Sequence, residues 1–493
     1  MKPPDRPRGS VSEGGSFPSR RLTRLEWATL LHVGILLVAT TWAFGGQADF
    51  VRGPLTWWAS LGCLITVAAC CDRAARREGR LLPLRWLWPL AVFNALVLVA
   101  CLNPSLRAIT LGGEVLLAHT GAHPWFPSSA RPRLALEALW TFDAFWMSCF
   151  NLALVVHHRR ALRGLLLVAA ANAVVLAVFG TLQKLSSAKG LYFDSVSTRQ
   201  PRFFASFVYH NHWGAFCILM MAAGIALTWH YSRRFPARNL LHSPIVSGWA
   251  ALVLLAASVP LSGSRSSTLL ALALLGLVSV HLVWRVLQRR RHQGLSAALP
   301  IAGILLALVL VVAGAWSVGG DTIRARLATT QQQVAEMREI GGIGDRAILY
   351  GNTWRMARDK LWFGWGMASY PHVFFRLYNT RESLADRLPV FYNDAHSDWL
   401  QSLAEHGLVG SALLALCALV PLRTLRLRTS VGPVSGYLFV GCLLILLYAW
   451  IEFPFGNLAV VLAWWLLYFA AVQNTRLRQR EEGTNGSADT AAK

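Results

Sequence analysis

The residues best suited to chemistry lie at 391–407, at the end of the only long polar segment in an otherwise hydrophobic chain, with His396 at their centre. Asn393 or Asp394 suits a helix start. After it His396, Leu400, Leu403 and Gly407 recur at helical spacing on one face, with Ser397, Gln401 and Glu405 on another. This spacing predicts His396 in the first helical turn, where the helix dipole disfavours the imidazolium and leaves a neutral ring able to take a proton from a hydroxyl. The same spacing also fits an exposed first-turn histidine with no chemistry.

Two arginines are candidates for holding an anion. Arg202 precedes an apolar run, with His210, Asn211 and His212 crowding the helix entrance. Arg265 lies in a short Ser- and Gly-rich connection, residues 261–268, that cannot hold it far from the membrane. An arginine at mid-bilayer costs roughly 2.5–3.5 kcal/mol on insertion scales, and less near the interface, so something should offset it. A planar guanidinium in a small polar turn suits a phosphate bidentately. The plain alternatives are snorkelling to lipid phosphates for Arg202, and a headgroup contact or internal ion pair for Arg265. Asp143, inside an apolar run, is either a functional carboxylate or one paired structurally with a polar neighbour.

These residues must be held by a membrane bundle. The chain has 493 residues, is 55% hydrophobic and only 14% charged, and carries 21 tryptophans, which excludes an ordinary soluble protein. Twelve apolar runs approach the length a bilayer requires, near 27–45, 56–71, 84–102, 138–156, 163–182, 213–230, 247–262, 268–285, 298–317, 407–422, 432–450 and 457–473. The fold expected is all-α: a polytopic membrane protein of about twelve transmembrane helices with one large, mainly helical extracytoplasmic loop at 318–405. A net charge of +23 could suggest nucleic acid. The arginine clusters instead fall at alternate ends of the runs, the positive-inside pattern, and no nucleic-acid-binding fold accompanies them. Both termini are thereby expected in the cytoplasm. All eight cysteines lie in apolar runs, so neither a disulfide framework nor a metal-ligand spacing is expected, and no cofactor is implied.

Residues 1–25 read as a disordered cytoplasmic tail, 26–199 as N-terminal transmembrane helices, 416–475 as C-terminal ones and 476–493 as a polar tail. The outer segment 103–133 reads as interfacial, anchored by Trp125 and Phe126, without chemistry. Within 318–405 a helix is predicted from Asp345 to Leu361, with Ile348, Trp354, Leu361 and Trp362 as buried positions, ended by glycines at 364 and 366. The aromatic stretch 370–378 fits a sugar platform, the core of a small cap or an interface belt.

Taken together, Arg202 with Asn211, Ser264 with Arg265, Asp345 with Arg346, residues 363–366, and 395–401 followed by 405–407 resemble the O-antigen ligase and polymerase superfamily over roughly residues 200–415. The resemblance implies a GT-C-like, metal-independent, inverting glycosyltransferase at the outer face of the bacterial cytoplasmic membrane. It implies an undecaprenyl-diphosphate-linked glycan as donor, lipid A core or another carrier-linked glycan as acceptor, and contact with membrane lipids but no nucleic acid. It assigns the diphosphate to Arg202 and Arg265, with Arg346 as a helper cation, and the acceptor hydroxyl to His396. Asn211, His210, His212 and Asp143 would support them. Ser397 stands where an asparagine often follows the histidine in that family. A transporter, whose ionisable residues would line a path near the midplane, and a membrane O-acyltransferase using His396 are the other classes these residues admit.

Overall fold

The computed structural model describes residues 21–491 except 73–75, 77–79, 112–113, 199, 201, 234–243, 315, 318–319, 321–323, 325–344, 381–390 and 426–430. Residues 1–20 of the expected tail and part of the loop at 318–405 thus lie outside the described residues, and the tail's last residues, Arg24 and Leu25, already belong to a helix capped by Thr23. In chain order the described helices are α1 (Arg24–Trp42), α2 (Asp49–Cys71), α3 (Trp88–Leu102), α4 (Pro132–Val155), α5 (Arg159–Leu185), α6 (His210–Ser232) and α7 (Pro244–Leu261). They continue as α8 (Arg265–Gln293), α9 (Ala298–Gly314), α10 (Asp345–Asp359), α11 (Tyr370–Val373), α12 (Asp398–Leu422), α13 (Pro433–Tyr448) and α14 (Leu458–Ala491). Each of the twelve apolar runs coincides with a helix; among the described residues ten helical segments are long and apolar enough to cross a membrane, α3 reaching that length together with the 3-10 turn Leu82–Leu87 before it, and α9 and α13 are apolar but shorter.

α6 organises the bundle. It is apolar on every face and buried along most of its length, the pattern of a helix surrounded by other helices. α5, α7, α8, α13 and α14 pack around it. Its first residues, His210 to His212, are therefore held at one end of the bundle, which also carries the start of α8 and the start of α12. α14 continues beyond residue 476 as a helix into the stretch expected to be a tail, where Arg159 Nη1 of α5 bonds Glu481 at 2.8 Å.

A small cap covers that end. Its own apolar cluster joins Leu349, Met356, Trp365, Tyr370 and Phe374 to Leu106 and Ala130. The face of α10 that looks inward differs from the expectation. Ile348, Trp354 and Trp362 are 40%, 48% and 65% exposed, whereas Leu349, Thr353, Met356 and Ala357 are buried. Two bonds fix this rotation: the Thr353 hydroxyl pairs with the Tyr370 hydroxyl at 2.9 Å, and Trp365 Nε1 donates to the Met356 carbonyl at 2.9 Å. Segment 103–133 contributes more than an anchor. It carries two antiparallel strands, Leu106–Leu111 and Glu114–His119, and the Ala130 amide donates to the Trp365 carbonyl at 2.7 Å, joining it to the cap. Trp125 and Phe126 are exposed.

Cap and bundle meet at a break in α12. Gly407 has φ +63° and ψ −169°, so the helix stops and restarts there. The stretch entering Gly364 lies across the break: Trp365 and Gly366 amides donate to the Ala404 and Glu405 carbonyls at 3.0 and 2.8 Å, and the Leu408 and Val409 amides donate to the Leu361 and Trp362 carbonyls at 2.8 and 3.1 Å. A Cβ on Gly364 would lie 2.3 Å from the Glu405 carbonyl oxygen, and one on Gly407 would lie 2.4 Å from Trp362 backbone. The glycines thus permit both the left-handed φ and the backbone contact.

Candidate active site at the cap–bundle junction

His396 lies two residues before the first turn of α12, in which the spacing predicts it. The cap is Ser397, whose hydroxyl accepts from the Leu400 amide, so the helix begins at Asp398. Asn393 and Asp394 also satisfy the capping rule by type, and sequence cannot choose among the three. His396 itself has φ +53°, a left-handed conformation that costs a residue with a Cβ roughly 1–2 kcal/mol. The surroundings hold it there. The Tyr350 hydroxyl of α10 donates to the His396 carbonyl at 2.9 Å, and the Asp398 amide donates to the Glu452 carbonyl at 3.2 Å.

The residue that completes this centre was not singled out from sequence. Glu452, in the connection between α13 and α14, is 2% exposed, and its Oε2 faces His396 Nδ1 at 3.6 Å, within ion-pair range and beyond hydrogen-bond length. Its other oxygen accepts from Arg346 Nη2, while Arg346 Nη1 donates to the Ile451 carbonyl at 3.0 Å. Burial alone would raise the Glu452 carboxyl, but the His396 side chain and the Arg346 guanidinium outweigh it and hold it below its ordinary range. Arg346 answers in kind: burial disfavours its charge, and Glu452 more than restores it. The available signal was that Glu452 is the one acidic residue between Glu405 and Glu481, set between two apolar runs.

The connection carrying Glu452 also ties the site to α12 and α6. The Phe455 amide donates to Asp398 Oδ2 at 2.8 Å, and Trp399 Nε1 donates to the Leu446 carbonyl at 2.9 Å. Phe453 stands edge-on to the His396 ring at 4.8 Å and stacks on Tyr209 at 5.2 Å. Tyr209 in turn accepts from Asn211 Nδ2 at 2.9 Å. Asn211 Oδ1 accepts from the Ser264 hydroxyl at 2.6 Å, and Ser264 caps α8, whose first residue is Arg265. The connection expected around Arg265 is therefore shorter than anticipated, and Arg265 starts a helix. Arg202 reaches the same corner through its carbonyl, which accepts from the His210 amide at 3.2 Å, and its side chain is exposed. A continuous set of contacts thus runs from His396 through Phe453, Tyr209 and Asn211 to the start of α8.

The supporting candidates divide. His212 is buried, with its ring nitrogens 3.3 Å from Gln47 Oε1 and 3.2 Å from the Phe453 carbonyl, which makes it a link between α6 and the Glu452 connection. His210 is buried beside Tyr209. Asp143 lies midway along α4, where it neighbours Asn94 of α3, and none of the described contacts joins it to the His396 group. Asp394 is close to the site and half-buried, and desolvation pushes its carboxyl up despite His396 and Arg52.

Among curated proteins no match is found. Residues 250–415 match the family model described as O-Antigen ligase, a segment that runs from within α7 to within α12 and includes Arg265, Arg346 and His396 but neither Arg202 nor Glu452. With its multiple membrane-length helices, the chain has the character of a multi-pass membrane protein, and its residues 250–415 are similar to the O-antigen ligase family.

Proposed function

We propose that the protein is a glycosyltransferase that moves a glycan from an undecaprenyl-diphosphate carrier to a hydroxyl of lipid A core or of another carrier-linked glycan, at the outer face of the cytoplasmic membrane. The observation that carries this reading is His396 on the buried carboxylate of Glu452, linked by contacts to the helix start that bears Arg265. With Nδ1 turned to Glu452, Nε2 is the nitrogen left for the acceptor hydroxyl. The acceptor oxygen forms a bond to the anomeric carbon as the bond from that carbon to the diphosphate breaks. The hydroxyl proton passes to His396 Nε2, and the electron pair leaves with the diphosphate, whose charge Arg265 and Arg202 match. Attack opposite the leaving group inverts the anomeric centre. Arg346 serves by holding Glu452.

The assay uses purified protein with carrier-linked glycan and a defined acceptor. Supporting results are release of undecaprenyl diphosphate in step with acceptor glycosylation, and an inverted linkage. Two charge-assisted contacts worth roughly 1.5–3 kcal/mol each imply that Arg265→Ala weakens donor use by one to two orders of magnitude, with Lys restoring part of it. Unchanged donor binding and transfer by Arg265→Ala contradict the assignment. In a deletion strain, single repeats left on the carrier identify a lost polymerase, and long chains left on the carrier a lost ligase.

A further inference from the structure

At the end of the bundle opposite His396 there is a cavity of about 170 Å³ between α6, α7, α8, α9 and α13, and the site described above does not use it. Trp229, Trp249, Leu275, Leu308 and Tyr437 are among its walls, and no carboxylate lines it among the described residues. Trp229, Trp249 and Leu308 are only half-buried, so one side is open. The neighbouring surface of α8 exposes Leu277, Val280 and Trp284 at 53%, 69% and 54%, an apolar face suited to lipid and not to water.

The mouth has a different character. The Arg285 guanidinium lies 5.3 Å from the Trp229 ring centre and that of Arg233 lies 6.0 Å from it, so two cations share one indole. His281 stacks on the same ring at 5.6 Å and pairs through Nδ1 with the Tyr437 hydroxyl at 2.9 Å. Arg285 is 20 residues along α8 from Arg265, about 30 Å at 1.5 Å per residue, which matches the thickness of a hydrocarbon core. The two guanidiniums therefore stand at headgroup depth on the membrane face opposite the active site.

We propose that this cavity is a binding site for an anionic phospholipid: a segment of one acyl chain occupies the apolar interior, the rest of the chain lies along the lipid-facing surface, and the phosphate rests on Arg233 and Arg285. An apolar wall open to lipid fits the chain. Two cations at the mouth, with no carboxylate among the described lining residues, fit the phosphate and disfavour a zwitterionic headgroup, which brings its own cation to the same place. The site is separate from the donor site in space and in chemistry, and it does not depend on the reaction assigned above.

Native mass spectrometry of purified protein exchanged into an equimolar mixture of phosphatidylglycerol and phosphatidylcholine tests it. The expected result is one tightly held phosphatidylglycerol per chain in preference to phosphatidylcholine, and a loss of that preference of roughly tenfold or more when Arg233→Ala and Arg285→Ala are combined. Leu308→Trp, which fills the cavity from a half-buried wall, removes the retained lipid while both arginines remain. Charge-retaining Arg285→Lys keeps most of the preference, separating electrostatic attraction from simple misfolding. The proposal is overturned by an undiminished preference in the double variant, by equal retention in Leu308→Trp, or by undecaprenyl phosphate displacing phosphatidylglycerol from the wild-type chain.

Discussion

At the scale of single residues the account turns on Glu452. A carboxylate that is 2% exposed persists there because Arg346 and His396 face it from two sides. Glu452→Gln removes the charge that orients His396, and it is expected to lower transfer by roughly 10²-fold with donor affinity little changed, read as a fall in kcat at constant Kd for carrier-linked glycan. A change confined to donor affinity would assign Glu452 to the donor side. Arg346→Ala leaves the carboxylate buried with one partner fewer. The Arg346 side chain is 49% exposed, so solvent screens part of the loss, and the expected cost is roughly 1–3 kcal/mol in unfolding experiments. The sign with pH follows from the depressed Glu452 carboxyl. Its stabilising contribution is complete above its ordinary value of 4.5 and is lost as pH falls through the lower folded value. The melting difference between wild type and Glu452→Gln should accordingly shrink as the solution is acidified through that window.

At the scale of elements, the break in α12 sets where the cap sits over the bundle. Gly407→Ala forces a Cβ into φ +63° and onto Trp362 backbone, and should loosen the cap before the spans. Hydrogen exchange would show this as faster exchange at Trp365 and Leu408 than in α6; protection unchanged at both would contradict it. Ser264→Ala removes the α8 cap and its bond to Asn211, and should raise the donor KM more than it lowers kcat, because it acts through the placement of Arg265. These elements were readable in sequence to different depths. The spans and the glycine-ended helix at 345–361 follow from apolar length and punctuation. The inward face of α10 does not, since Leu349 and Ile348 are equally apolar and only Tyr370 and Trp365 choose between them. Likewise Asn393, Asp394 and Ser397 are three legitimate caps, and the choice that moves His396 out of the helix depends on Tyr350 and Glu452, which are distant in sequence.

At the scale of the molecule, one end of the bundle carries His396, Arg265 and the cap, and the other carries Arg233, Arg285 and Arg159. From the positive-inside pattern we propose that the second end faces the cytoplasm. In protein with its eight native cysteines replaced, Arg358→Cys on the cap helix and Arg289→Cys near the end of α8 should be labelled by impermeant reagent from opposite sides. Labelling of both from one side would invert or break this topology, and the proposed active-site location with it. The partnership of His396 and Glu452 was beyond sequence reasoning for a reason of the same scale: 56 residues and a whole helical hairpin, α12 and α13, separate them, and no local periodicity records a contact made by the return of the chain.

The most direct test is transfer by purified, correctly inserted His396→Ala, using carrier-linked glycan and a defined acceptor, beside His406→Ala as a control. His406 is half-buried against Phe93 with Nδ1 3.2 Å from the Ser402 carbonyl, so its loss should act on stability and leave the rate per folded molecule nearly unchanged. General-base catalysis contributes about 10²- to 10⁴-fold, so His396→Ala is predicted to lower the rate by that factor at unchanged donor affinity. Full activity in His396→Ala, or an equal loss per folded molecule in His406→Ala, would contradict the central claim.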